Sequence, residues 1–255
     1  MRIRAPRLAL VVVLLTAACS STAEEAHAPS PTPVMSGATS ASVAVPLPPL
    51  LGHGSYIATP AERKIIVFRE PVGTTGDFVL DTRNPFGQRT SLLVVDAVRD
   101  DAGDPWYEVS LPIRPNGSTG WMWGADLRVR RARDRLVIDL SDRTLDHFRD
   151  GTRLDRFTVG VGSQDAPTTP GTFYVWARVP QSSSYGPYGV YALGLSGFSD
   201  TLTEFEGSNG RIAIHGTSDP GDRGQRVSHG CIRVYNPDMA TLTHLPMGTP
   251  VVIRR

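Results

Sequence analysis

The chain has 255 residues, 40% of them hydrophobic, which is enough for a buried core and for one or two domains. Its 26 basic side chains nearly balance its 25 acidic ones, and removing the three arginines of the first seven residues leaves the acidic groups slightly ahead. That balance offers no basic footprint for a phosphate backbone and excludes a nucleic-acid partner.

Arg2, Arg4 and Arg7 precede an apolar run over residues 8–15, and Thr16-Ala17-Ala18-Cys19 follows. A charged start, a short apolar middle and small residues before a cleavage point describe a signal peptide over residues 1–18. The run is too short to span a bilayer as a mature helix. Ala17-Ala18-Cys19 resembles a bacterial lipobox, which implies that Cys19 becomes the lipidated first residue of an exported chain. Ordinary secretion, with cleavage after Ala23, is the alternative. Residues 19–51 are rich in Ala, Ser, Thr and Pro. They cannot bury enough apolar surface to fold, so a disordered, lipid-anchored tether is expected, on the outer face of the cytoplasmic membrane or in the cell envelope.

Residues 52–133 read as a small β domain. Short strands are expected over residues 64–68, 77–80, 91–98, 106–111 and 120–122, separated by turn signals such as Glu70-Pro71-Val72-Gly73 and Arg114-Pro115-Asn116-Gly117. This spacing suggests a barrel or sandwich. Trp106-Tyr107-Glu108-Val109, then Gly120-Trp121-Met122 and Asp126-Leu127, resembles bacterial SH3-like barrels. Of Trp106, Trp121 and Trp123, at least two are expected inside so small a core, rather than on a ligand-binding surface.

Residues 134–255 form the second expected domain, mostly β with little helix. Strands are predicted over residues 136–140, 145–149, 154–161 and 172–179, with Asp150-Gly151 as a hairpin turn. Gln181 to Gly189 is rich in Ser, Gly and Tyr and reads as a lid or a substrate-lining loop, or as a plain connecting loop with Tyr185 and Tyr188 packed on the surface. Asn236-Pro237 supplies an N-cap and a first-turn proline for a short helix ending near Leu245, and residues 250–254 are a final strand. His27, His53, His147 and His244 have no partner pattern and are expected on the surface or at helix caps; Asp139 and Asp155 read as turn or solvent-face residues.

Chemistry concentrates in Ile212-Ala213-Ile214-His215-Gly216-Thr217 and Val227-Ser228-His229-Gly230-Cys231-Ile232-Arg233. Only two cysteines exist, and the other, Cys19, lies in the export segment. Cys231 is therefore unpaired, and an unpaired thiol in an exported protein is a candidate nucleophile. An imidazole beside it can lower its pKa and accept its proton. The apolar run before His215 reads as a buried strand delivering that histidine to a site, and Gly230 allows a tight turn whose amides face an oxyanion. On an extended segment His229 would share a face with Cys231.

His-Gly-Thr, a loop of this length and Ser-His-Gly-Cys-Ile-Arg resemble the active-site signature of the L,D-transpeptidase (YkuD) family, and the resemblance runs from about Arg135 to the end. Thr168-Thr169-Pro170-Gly171-Thr172-Phe173 also resembles a family segment, and the SH3-like region resembles a module that precedes the catalytic domain in some actinobacterial members. The resemblance implies a peptidoglycan L,D-transpeptidase. Cys231 would be the nucleophile, His215 the proton donor and acceptor, His229 an orienting residue, and the Gly216 carbonyl the partner of the first imidazole. Ser228, Gly230 and Arg233 would line the substrate. The donor would be a tetrapeptide stem cut between its diamino acid and D-alanine, the acceptor a second stem giving a 3→3 cross-link, and carbapenem-type β-lactams would be inhibitors. No cofactor is implied.

Other readings use the same residues. The site could hydrolyse its acyl-enzyme, as an L,D-carboxypeptidase. His215, His229 and Cys231, with Asp219 or Asp222, offer three ligands for a catalytic zinc, although no H-E-x-x-H spacing is present. A non-catalytic, wall-binding lipoprotein would need an inert thiol, usually buried among apolar groups.

Overall fold

The computed structural model describes residues 54–204 and 209–255. The expected signal peptide, the Cys19 anchor, the tether, and His27 and His53 lie outside the described residues. Among the described residues no helix is long and apolar enough to cross a membrane.

The chain is mostly β, as its strand signals require. Five antiparallel strands form a first sheet in the order β6-β5-β4-β1-β7, from β1 (Tyr56–Pro60), β4 (Leu92–Arg99), β5 (Pro105–Ser110), β6 (Thr119–Trp123) and β7 (Leu127–Arg131). A separate hairpin, β2 (Lys64–Val67) with β3 (Phe78–Asp81), is joined to β6 by a two-way backbone bridge between Phe68 and Trp121. Val67, Leu92, Val109 and Met122 centre its core. Strands β1 and β7 are not among the predicted ones; β1 is short and ends in proline, and β7 carries arginine at three of its five positions. The tryptophans also depart from expectation. Trp106 is buried against Phe68, whereas Trp121 is half-buried and Trp123 is 40% exposed. Leu, Ile, Val and Met fill the core that the aromatic rings were expected to fill.

The second sheet has eight strands in the order β10-β9-β8-β17-β12-β13-β14-β16. They are β8 (Asp134–Asp139), β9 (Thr144–Arg149), β10 (Thr152–Thr158), β12 (Gly171–Pro180), β13 (Tyr191–Phe198), β14 (Arg211–Thr217), β16 (Ile232–Tyr235) and β17 (Pro250–Arg254). Asp150-Gly151 turns β9 into β10 with both φ angles positive, the geometry that Asp-Gly favours. Strand β13 was not predicted, because Gly194 and Gly197 interrupt its pattern. Their role is close approach: a Cβ at Gly197 would collide with the Phe173 ring. The predicted strand over 154–161 ends early, and its last residue joins β11 (Val161–Gly162), which pairs with β15 (Arg226–Ser228) in parallel.

Helix α1 (Asn236–Leu242) packs on this core through Met239 and Leu242. Asn236 is its first residue and not its N-cap; Tyr235 holds the cap position without a side-chain bond. The Asn236 side chain serves a loop instead, as described below. His147 is another correction. It is almost fully buried, with Nε2 3.0 Å from Asp134 and Nδ1 3.2 Å from Asp155, since the β8-β9-β10 pairing brings these polar groups together.

Candidate active site

Strand β14 alternates. Ile212 and Ile214 enter the core, so Ala213 and His215 occupy its other face. Strand β16 does the same with Ile232 and Val234 in the core. The two strands run parallel with Ile214 opposite Ile232 and His215 opposite Arg233. Cys231, the residue just before β16, takes a hydrogen bond from the Ala213 backbone two residues before His215. His215 and Arg233 thus share the face away from the core, and Cys231 lines one cavity of about 870 Å³ with them.

His215 is only 4% exposed, and its Nδ1 donates to the Gly216 carbonyl at 2.9 Å. This bond fixes the tautomer and leaves Nε2 as the ring's acceptor. The Tyr188 ring meets the imidazole edge to face, with centroids 5.2 Å apart. Burial, with the Arg233 charge adding to it, pulls the imidazole down to about 4 against the opposing Gly216 carbonyl and Asp222 carboxylate. Burial pushes the Cys231 thiol above its ordinary value, while the Ala213 backbone and the Arg233 charge act the other way. Burial thus disfavours the charged form of each group, while the Arg233 charge favours the thiolate.

The bend before Cys231 is built by Ser228. Its hydroxyl donates to the Cys231 carbonyl at 2.6 Å and accepts from the Gly230 amide at 3.2 Å. Gly230 sits at φ +112°, a conformation that disfavours any side chain. Two expectations change. The segment from His229 to Cys231 is bent and not extended, so alternation does not relate those two side chains; His229 is exposed at the cavity wall. The Gly230 amide is engaged with Ser228, which leaves the Cys231 amide as the nearest candidate for an oxyanion. Ser228 is 3% exposed, and its hydroxyl is spent within the bend.

Arg233 is half-buried and pairs with Asp222 at 3.3 Å; Thr217 donates to the same carboxylate at 2.6 Å. Asp219 caps the adjacent turn through the Gly221 amide. The zinc set weighed above is not assembled: the three-ligand grouping among the described residues is Asp134, His147 and His244, where Arg149 already donates to Asp134 at 2.8 Å.

The loop of residues 181–189, for which a substrate-lining role is one expected reading, supplies Gln181, Pro187 and Tyr188 to the cavity wall, whereas the other segments of the wall are not among the expected site residues. Trp176 and Val179 come from β12, Tyr188 from the loop before β13, and Pro85 and Phe86 from a turn in the connection between β3 and β4. Arg211, held to about 10 by burial, lies over the Trp176 ring at 3.8 Å and donates to the Leu195 and Pro112 carbonyls. The tyrosines of residues 181–189 and an aromatic residue in the Asn84-Pro85-Phe86-Gly87 turn were the available signals.

With this geometry described, comparison with known proteins is informative. Residues 133–253 match the L,D-transpeptidase catalytic domain family, YkuD. A Bacillus licheniformis protein named for the L,D-transpeptidase YkuD is 32% identical over 120 residues, covering 47% of this chain and 64% of the relative. Its Bacillus subtilis counterpart is 31% identical over 121 residues, covering 47% and 65%. The chain thus spans slightly less than two thirds of the length of these relatives. Among solved structures, a mutant Enterococcus faecium L,D-transpeptidase aligns with 48% of this chain and 50% of its own, at 21% identity and a TM-score of 0.37. L,D-transpeptidase 3 of Mycobacterium tuberculosis, in complex with a faropenem-derived adduct, aligns with 60% and 91%, at 14% identity and a TM-score of 0.40.

Proposed function

We propose that the cleft transfers an acyl group through Cys231, and that the chain is a peptidoglycan L,D-transpeptidase. One observation carries this reading: the parallel β14-β16 pairing brings the only thiol among the described residues and a buried, tautomer-fixed imidazole to one cavity. The match of residues 133–253 to the L,D-transpeptidase catalytic domain supports it.

In the proposed cycle, His215 Nε2 takes the proton of Cys231 as Sγ attacks the amide carbonyl between the diamino acid and the terminal D-alanine of a tetrapeptide stem. The carbonyl oxygen gains the negative charge, and the Cys231 amide is its candidate donor; losing such a donor costs on the order of 10²–10³ in rate. The C–N bond breaks, the proton passes from His215 to the departing D-alanine amine, and a thioester remains. An amine of a second stem then attacks the thioester, gives up its proton to His215, and leaves as the 3→3 cross-linked amide while the thiol is restored. Gly216 holds the imidazole through its carbonyl. Arg233, already paired with Asp222, is placed to meet a stem carboxylate, and His229 stands at the rim. A β-lactam carbonyl would acylate the same sulfur. Export and anchoring through Cys19 would put this activity at the cell envelope; mass analysis of the mature N-terminus checks that, since an unmodified chain starting after Ala23 contradicts it.

The test is intact mass after mixing the protein with a purified tetrapeptide muropeptide, beside Cys231→Ala. A tripeptide-sized adduct on the wild type, free D-alanine and then a cross-linked dimer are expected, and none of these with Cys231→Ala. Free D-alanine without dimer would make water the acceptor and the protein an L,D-carboxypeptidase. Undiminished turnover in Cys231→Ala would remove the nucleophile from the reading.

A further inference from the structure

Among residues 54–133 the cleft is reached through the connection that leads from β3 of the hairpin into β4 of the first sheet. Its base is buried: Thr82 and Thr90 are almost fully enclosed, and the Thr82 hydroxyl meets the Glu62 and Arg63 carbonyls at 2.7 and 2.9 Å. Its tip is fastened to the other sheet. The Asn84 side chain accepts from the Phe86 and Gln88 amides at 3.0 Å each and donates to the Trp176 carbonyl at 2.9 Å. Gln88 donates to the Arg178 carbonyl at 2.6 Å and accepts from the Arg178 amide at 3.0 Å. Pairing of β17 with β12 stops at Tyr174, and the β12-β13 register shifts just beyond it. The side-chain amides of Asn84 and Gln88 thus satisfy backbone groups that no strand takes.

Fixed this way, the turn displays Phe86, 56% exposed. A single exposed aromatic residue is ordinary in itself. This one differs because its backbone is pinned and because, with Pro85, it walls the cavity that holds Cys231. A rigid apolar surface facing a nucleophile across a shared cavity provides a place for the apolar part of a substrate. We infer that Phe86 is a specificity-determining residue, through which the first sheet holds the aliphatic portion of the peptide acyl donor that Cys231 attacks. This inference rests on the acyl-transfer reading, and it makes the first sheet part of the cleft and more than a spacer. Asn84 and Gln88 act as positioning residues for the turn.

Two measurements on the full chain test it. The first is D-alanine release from the tetrapeptide stem by wild type, Phe86→Ala and Phe86→Leu, with the alkylation rate of Cys231 by iodoacetamide as a control. Phe86→Ala is expected to raise KM roughly tenfold with kcat within about twofold, Phe86→Leu to recover most of the loss, and alkylation to stay unchanged. An unchanged KM, or a fall confined to kcat, overturns the inference. The second is calorimetric binding of the same tetrapeptide in the Cys231→Ala background, where turnover plays no part. A matching weakening on adding Phe86→Ala supports it; equal affinities, or no binding by either protein, overturn it. Wild-type protein that binds the peptide with this Phe86 dependence but releases no D-alanine would sink the acyl-transfer reading alone.

Discussion

Burial raises the cost of charging both His215 and Cys231, and each makes a separate prediction. The imidazole titrates near 4 in the fold against an ordinary 6.5. Between those values the unfolded chain binds the proton and the folded chain does not, so this histidine's contribution is whole above pH 6.5 and is lost as pH falls toward 4. The gap is worth roughly 3 kcal/mol. Urea midpoints of the wild type should therefore fall across that window more steeply than those of His215→Asn; parallel curves would mean that the imidazole is not desolvated as described. For the thiol the prediction is kinetic. Its value is raised above 9 by burial, so iodoacetamide alkylation should keep rising into the alkaline range. A plateau near neutral pH would reveal a resting thiolate–imidazolium pair. In the proposed cycle, an alkylation rate that keeps rising would mean that proton transfer to His215 accompanies attack and does not precede it.

At the scale of elements, the site depends on one side chain that no catalytic pattern marks. Asn236 Oδ1 accepts from the Val190 amide at 3.0 Å, and Nδ2 donates to the Ser184 carbonyl at 2.9 Å. It ties the first residue of α1 to the loop that carries Tyr188 onto the His215 ring. Gly189 and Gly216 pack so closely around its oxygen that a Cβ at either would collide with it. Asn236→Ala leaves the Val190 donor unpaired at a cost of about 1–3 kcal/mol. Backbone exchange over residues 181–190 should quicken and stem turnover should fall while the protein stays folded. Asn236→Asp, which keeps the acceptor and loses the donor, should fall between the two. Exchange unchanged in the alanine variant would show that the loop is held by other contacts. The asparagine was visible in the sequence beside Pro237 and was read as an N-cap, the commonest use of that pair. Only the path of the distant loop gives it another use.

Across the whole molecule, what the sequence revealed and what it hid divide by sequence distance. His215, Gly216, Ser228, Gly230, Cys231 and Arg233 stand in two short runs, and the Ile212-Ala213-Ile214 alternation places the first on a strand, so this half of the site was legible. Phe86, Trp176, Tyr188 and Arg211 come from four separate segments and meet only through packing. The join between the sheets was hidden for the same reason. Tyr174 lies on β12 of the second sheet, yet its fully buried ring belongs to the core of the first, and its hydroxyl donates to the Ser110 carbonyl at 3.2 Å. No pattern within residues 171–180 distinguishes a ring packed in its own sheet's core from one lent to a neighbour. The consequence is cooperative. With the Tyr174 ring of β12 buried in the first core, and Asn84 and Gln88 bonded to β12, the sheets should melt together. Tyr174→Ala is expected to cost about 3–5 kcal/mol, the range for emptying a large aromatic site. The loss should appear as one transition displaced equally in far-ultraviolet circular dichroism and in tryptophan fluorescence, which reports Trp106, Trp121 and Trp123 of the first sheet and Trp176 of the second. Tyr174→Phe, which strands only the Ser110 acceptor, should cost about 1 kcal/mol. Two separated transitions in Tyr174→Ala, with the second sheet melting at its wild-type temperature, would mean that the sheets fold independently and that the Phe86 wall is held in place only by the amide bonds of its own turn.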